Sequence, residues 1–405
     1  MKEKFISLFI SFFSINVFNR LIPLVTIPIL TNRLGLEGYG EYILILSYTV
    51  LFDTLISFGF KTTAVIDLNF CKSKEDENKL FFKVLFSKLM IAFPSIFILL
   101  YVLNSQNIDT FHSIIFCVSI LMGVVLNQEW YFHGKGNMHS IVLINVSLRL
   151  IYIWLIYEFI KSPSDYTYAL IIHSLTLFLQ SFVGGIKAVL DFKIEFPKSI
   201  IFRDVFHQFK NNTYFFSATL SSYFTTSFNF IILDNFYSPT TLGVYAIADK
   251  LVNALRDFSN TFNNSILPIL AEKHNLNQEQ KSPLFLYYII SIFLIFSIVS
   301  LVVYLLSDYI FLFFNSEIRH TNLGSRLIET LVIGLPMSVI IGAISQFYVI
   351  KGKSVRLFWI FLAFAFLSVI TLSISAYYFN IISFAYTYVI LMIILFTFLY
   401  IKIKT

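Results

Sequence analysis

The chain alternates long apolar stretches with short polar pieces, the pattern of membrane-crossing helices rather than of half-buried strands. A crossing helix needs about 20 mainly apolar residues. Twelve such stretches lie at 8–31, 40–60, 82–103, 111–132, 141–160, 166–188, 213–235, 241–265, 284–306, 327–349, 357–378 and 381–401. The connections between them leave no room for a soluble domain. The expected fold is all-α and integral to the membrane, with twelve transmembrane helices.

Composition supports that pattern and adds a direction to it. Only 13% of the 405 residues are charged and 57% are hydrophobic, against about 25% charged in a soluble domain. The formal charge of +6 is a statement about topology, not about nucleic acid. Of 29 Lys and Arg, 20 fall in the two tails and every second loop, 4 (Arg33, Lys161, Arg319, Arg326) fall in the other loops, and 5 lie inside or at the edges of spans. Basic loops stay cytoplasmic, so both termini are expected in the cytoplasm. The apolar run after Lys2 and Lys4 has no small-residue cleavage site behind it and is expected to be a retained first span, not a signal peptide.

Catalysis finds little support. Cys71 and Cys117 are the only cysteines, too few for a disulfide framework or a metal cluster. The seven His are scattered, and neither a Gly-x-Ser-x-Gly elbow nor a phosphate-binding Gly loop with Lys occurs. No catalytic residue, metal or cofactor is expected, and the protein is expected not to be an enzyme.

The chain also echoes itself. A basic connection at 191–212, containing Pro197, separates a lobe at 1–197 from one at 198–405, each with six spans. Gly40 and Tyr42 recur as Gly243 and Tyr245, 203 positions later. Gln128-Glu129-Trp130-Tyr131-Phe132-His133-Gly134 has a looser echo in Gln346 to Gly352. Six spans between copies imply parallel repeats about an axis along the membrane normal.

Ionisable side chains inside spans cost about 2.5–3.5 kcal/mol each on an insertion scale and usually face a bundle interior, a wet cavity or each other. They are Arg20, Asp53, Glu129, Arg149, Asp249, Lys250, Arg256 and Asp257. In the eighth span Asp249, Asn253, Arg256, Asn260 and Asn263 recur at steps of four and three, one helical face. At 1.5 Å per residue that stripe is about 21 Å long, longer than one structural ion pair needs, and a hydrated lumen is the simpler reading. The first span carries Asn16, Asn19, Arg20, Pro23 and Thr26, and the seventh Ser217, Ser221, Thr225 and Asn229. For the seventh, hydroxyls that glue helices together explain the pattern equally well. Arg149, one turn from Asn145, reads either as a lumen cation or as the partner of an acid such as Asp53.

Three segments carry a family resemblance. Asn19-Arg20-Leu21-Ile22-Pro23, with Pro28 and then Thr31-Asn32-Arg33-Leu34-Gly35-Leu36-Glu37-Gly38-Tyr39-Gly40, resembles the first hairpin of bacterial O-antigen and polysaccharide repeat-unit flippases. Gln128 to Lys135 and the later Gln346 to Lys353 resemble two further hallmarks, so the match runs in order along the whole chain. These flippases form a branch of the multidrug, oligosaccharidyl-lipid and polysaccharide exporter superfamily. The resemblance implies two six-helix lobes around a central cavity in the bacterial inner membrane. It also implies a cargo, undecaprenyl-pyrophosphate-linked oligosaccharide, moved to the outer leaflet by alternating access. Membrane lipids, a polysaccharide polymerase and a chain-length regulator would be its partners. Under that reading Arg20, Arg149, Arg256, Lys250, Asn16, Asn19, Asn253 and Asn260 would bind substrate, and Asp53, Asp249, Asp257 and Glu129 would couple an ion gradient. The family cavity is expected to be cationic, whereas here four intramembrane bases face four acids. A drug or cation antiporter of the same superfamily, or a polytopic enzyme such as a polymerase, are the alternatives.

Overall fold

A computed structural model describes residues 2–106, 108–197, 202–275, 283–315, 320–350 and 353–404, with the side chains of the first 23 residues and some others excluded. The described residues are helical almost throughout. Among them, nine helical stretches are long and apolar enough to cross a membrane.

The first two expected spans are one helix, α1 (Lys2–Ser57), interrupted at Gly35 (φ 66°, ψ 177°) rather than by a loop. A left-handed φ is open to glycine without steric penalty, so a single residue redirects the chain where a connection at 32–39 was expected. α2 (Phe60–Phe70) follows, then α3 (Lys74–Ser105), started by a reciprocal capping box between Ser73 and Asp76. The fourth expected span is divided: α4 (Thr110–Leu126) stops, Asn127 is extended, and the short α5 (Glu129–Gly134) resumes. α6 (Met138–Phe159) and α7 (Tyr166–Phe192) coincide with the fifth and sixth spans.

The seventh and eighth expected spans are helical, as α8 (Phe202–Thr225), α9 (Phe228–Asp234) and α10 (Pro239–Asn275), but fall outside the nine apolar stretches. In α10 four charged residues, Asp249, Lys250, Arg256 and Asp257, lower the hydropathy. α11 (Pro283–Leu305), the short α12 (Ser307–Phe314), α13 (Thr321–Ile333) and α14 (Leu335–Ile350) are followed by the hairpin of α15 (Ser354–Tyr378) and α16 (Ile381–Lys404).

Two compact units result, residues 1–12 with 41–231, and residues 13–40 with 232–405. α8 packs on α2 and α3 in the first unit, and residues 13–40 belong to the second. In the first unit α4 lies along α7, with a buried Ser119–Ser174 hydrogen bond of 2.7 Å. A Cβ built on Gly123 would sit 3.3 Å from the Phe178 backbone, so this crossing depends on a small residue. In the second unit α10 packs on α13 and α14, and α13 and α14 pack on α16.

The echoed glycines face one another within the second unit. A Cβ on Gly40 would lie 1.9 Å from the Pro239 carbonyl oxygen, and one on Gly243 would lie 2.0 Å from that of Leu36. The two echoed glycines thus meet across one helix crossing.

Candidate functional site

In the first unit α6 sets Asn145, Arg149 and Tyr152 on one face at steps of four and three. Asn145 Nδ2 donates to Glu129 Oε1 at 2.7 Å. Arg149 lies in the electrostatic field of Glu129 and of Tyr152. The Tyr152 hydroxyl is 3.0 Å from that of Tyr42, and the His173 ring meets both phenols edge-on, with centroids 6.2 Å from Tyr42 and 5.4 Å from Tyr152. Glu129 can occupy this position because α4 stops at Leu126 and the chain restarts at Gln128, the start of the motif singled out in the sequence.

Beside this group stands Lys88, 1% exposed, whose ammonium donates to the carbonyls of Val124 at 3.3 Å and Asn127 at 2.9 Å. These are carbonyls that the end of α4 leaves without intrahelical donors, at the negative end of its dipole. Glu129 and Asp53 lie within electrostatic range of the same ammonium. Two cations, one carboxylate, two phenols, an amide and an imidazole therefore share the interior of one apolar unit. Such a set can neutralise a phosphate, donate hydrogen bonds to sugar hydroxyls and hold a proton.

The rest of the Gln128–Lys135 motif is architectural. The Trp130 indole donates to Gln128 Oε1 at 2.7 Å, and the wholly buried Tyr131 donates to Glu77 Oε2 at 3.0 Å. Lys74 at 3.0 Å and Lys135 complete an ion cluster on Glu77 that ties α5 to the start of α3. Glu77→Ala leaves the Tyr131 hydroxyl without its acceptor, and a loss of about 1–3 kcal/mol is expected. Thermal unfolding in detergent should show it, while a Glu77→Gln variant recovers part of the loss.

In the second unit the eighth-span stripe turns toward its own neighbours. Asn253 Nδ2 donates to Asp249 Oδ2 at 2.8 Å. Arg256 Nη2 donates to the Tyr388 hydroxyl of α16 at 3.2 Å, and the Tyr288 hydroxyl of α11 donates to Asn263 Oδ1 at 2.6 Å. Among the described residues, Arg256 Nε has no hydrogen-bond partner. Asp249 and Asp257 lie in its electrostatic field. Lys250, half-buried on the same helix, lies within electrostatic range of Asp249.

The structure thus brings Glu129, Asn145 and Arg149 together in one unit, and Asp249, Asn253, Arg256 and Asp257 in the other. Asp53 does not pair with Arg149: it holds Lys61 at 3.2 Å and accepts from Ser57 at 2.9 Å, part-exposed beside the turn into α2. The side chains of Asn16, Asn19, Arg20 and Asn260 lie outside the described residues. Glu329, accepting from Ser307 at 2.9 Å, is another ionisable group inside an apolar helix. The rule that flagged Arg149 reaches Lys88 and Glu329 as well. Nothing in the sequence announces Tyr388, Tyr152 or His173.

The fold and these interior polar sets define the class, a multi-pass helical membrane protein with a transporter fold. The chain aligns over 97% of its length, and 87% of the other chain, with a lipid II flippase MurJ structure in an inward closed conformation, at TM-score 0.74 and 17% identity. With an inward-facing multidrug resistance MATE family transporter of the MOP superfamily it aligns over 95% and 94%, at TM-score 0.71 and 14% identity. Residues 7–274 match the family described as polysaccharide biosynthesis protein, and the chain belongs to that family. A Shigella dysenteriae relative, provisionally named an O-antigen transporter, is 22% identical over 69% of this chain and 70% of its own. An Escherichia coli K12 relative with the same provisional name is 27% identical over 64% of this chain and 63% of its own. The resemblance read from the sequence motifs holds at the level of the family.

Proposed function

We propose that the protein is a flippase for undecaprenyl-pyrophosphate-linked oligosaccharide repeat units, moving them from the cytoplasmic to the outer leaflet of the bacterial inner membrane. The observation that carries this reading is the placing of Arg149, Asn145, Tyr152 and Glu129 together inside an apolar unit of a polysaccharide-family chain with a transporter fold. A pyrophosphate with a sugar chain needs cations and amide or hydroxyl donors in an environment that is otherwise apolar.

In this reading twelve helices, two of them the polar α8 and α10 segments, form lobes 1–197 and 198–405 in chain order around a central cavity, with both termini in the cytoplasm. Arg20, Arg149, Lys250 and Arg256, with Asn16, Asn19, Asn253 and Asn260, hold the headgroup and sugars. Glu129, Asp249, Asp257 and Asp53 are the candidates for coupling to an ion gradient, and a polymerase and a chain-length regulator would receive the product. Lys61 already engages Asp53, which makes Glu129 the first carboxylate to test.

Deletion of the gene is expected to abolish surface polysaccharide and to accumulate lipid-linked repeat units, with restoration from a plasmid. Unchanged polysaccharide in the deletion strain, or dye efflux without any effect on polysaccharide, would refute the reading. Glu129→Gln should flatten the dependence of transport on an imposed pH gradient in proteoliposomes while the protein stays folded. A retained dependence would remove Glu129 from the coupling role.

A further inference from the structure

A cleft of about 440 Å³ runs between α15 and α16 in the second unit, within the range of about 300–1,000 Å³ typical of ligand sites. Its floor is the buried pair Phe364 and Leu395, and its rims are Trp359, Leu367, Ile394 and Phe398, all substantially exposed. Ala363 lies between the rims, and its small side chain leaves the space open. From Arg356 to Leu367 the cleft follows twelve residues of α15, about 16 Å at the helical rise. That length suits one hydrocarbon chain lying along a helix hairpin.

The cleft is apolar except at one end. There Arg356 stands one turn before Trp359, at the end of the hairpin that the charge pattern assigns to the cytoplasm. No carboxylate lies within ion-pair distance of Arg356 among the described residues, and Lys353 lies exposed one turn away. Basic pockets between helices on the cytoplasmic side suit anionic headgroups, and a tryptophan at that depth suits the membrane interface.

From this apolar cleft headed by a guanidinium that no carboxylate among the described residues engages, we infer a binding site for one anionic phospholipid of the bilayer. Its phosphate sits on Arg356 and one acyl chain fills the cleft past Ala363. The site belongs to α15 and α16 alone and stands whether or not the transported cargo is the one proposed above.

The test uses the full-length protein in nanodiscs of phosphatidylcholine, titrated with phosphatidylglycerol and read by native mass spectrometry as lipid retained per chain. One tightly retained phosphatidylglycerol is expected. Arg356→Gln should weaken retention about fivefold, the effect of roughly one surface charge. Ala363→Trp, which fills the cleft without touching the charge, should abolish it. Lys187→Gln, removing a basic residue engaged with Asp191 elsewhere, should leave it unchanged, and circular dichroism confirms that each variant is folded. Retention unchanged in both Arg356→Gln and Ala363→Trp would overturn the site. So would displacement of phosphatidylglycerol by an equimolar polyprenyl phosphate, which would make the occupant the isoprenoid carrier instead.

Discussion

Replacing Gly243 by Val, or Gly40 by Ala, is expected to leave little folded protein in the membrane. A Cβ at either position would come within 2.0 Å of a backbone carbonyl oxygen on the facing segment, Leu36 or Pro239. Overpacking of an ordinary core site costs about 1–3 kcal/mol because flexible side chains give way. Here the obstacle is backbone, so the segments must separate, which strips contacts along the whole crossing, and a loss above that range follows. The two glycines guard the same crossing, so the double variant Gly40→Ala with Gly243→Ala should lose less than the sum of the single losses. Residues sharing one contact are coupled rather than additive. Gly185→Ala, whose Cβ would meet nothing closer than 3.4 Å, is the control and should be tolerated. Fluorescence-detected size exclusion and thermal unfolding in detergent would read these four and the single Gly243→Ala that completes the cycle. A normal melting temperature for Gly243→Val would mean that the crossing is looser than the structure shows.

That crossing marks how far sequence reasoning reaches in this protein. The apolar stretches were legible because a bilayer imposes a length and a composition on every helix that crosses it, and the repeat of Gly and Tyr at 203 positions was visible as text. That the repeats touch one another was not visible, because proximity arises only after the chain has folded. The redirection at Gly35 was hidden for the opposite reason: one residue with a left-handed φ needs no polar loop to announce it. Likewise the break between α4 and α5, at Asn127, lies inside a stretch that reads as one continuous helix. Lys88 satisfies carbonyls released by that same break, so its partners are backbone atoms with no residue type to recognise. The stripe on α10 was legible as a polar face, yet its spacing said nothing of Tyr288 on the next helix or of Tyr388, 132 positions beyond Arg256. What the sequence left open about Arg149, lumen cation or partner of Asp53, geometry narrows: Asp53 takes Lys61, and Arg149 stands by Glu129.

Arg256→Ala is expected to reduce surface polysaccharide at least tenfold at normal protein level in a deletion strain carrying the variant gene. The guanidinium is half-buried in an apolar helical unit, with one donor on Tyr388, another without a partner among the described residues, and Asp249 and Asp257 in its field. Retaining an incompletely satisfied cation in such a place is costly, and a purely structural role would be served by completing its hydrogen bonds. Two further variants separate the roles. Tyr388→Phe removes only the phenol oxygen, and if Arg256 works by clamping α10 to α16 it should hurt as much as Arg256→Ala. If Arg256 instead serves an anionic headgroup, Tyr388→Phe should keep most of the activity and Arg256→Lys should keep part of it. A lysine preserves the charge but not the planar fork that suits phosphate oxygens. Asp249→Asn adds a sign test, since removing the neighbouring negative charge should leave Arg256 more available to an anion and tighten substrate binding in proteoliposomes. Equal losses in Arg256→Ala and Tyr388→Phe, matched by equal losses in melting temperature, would place Arg256 in the scaffold and leave Arg149 and Lys250 as the described cations proposed to meet the pyrophosphate.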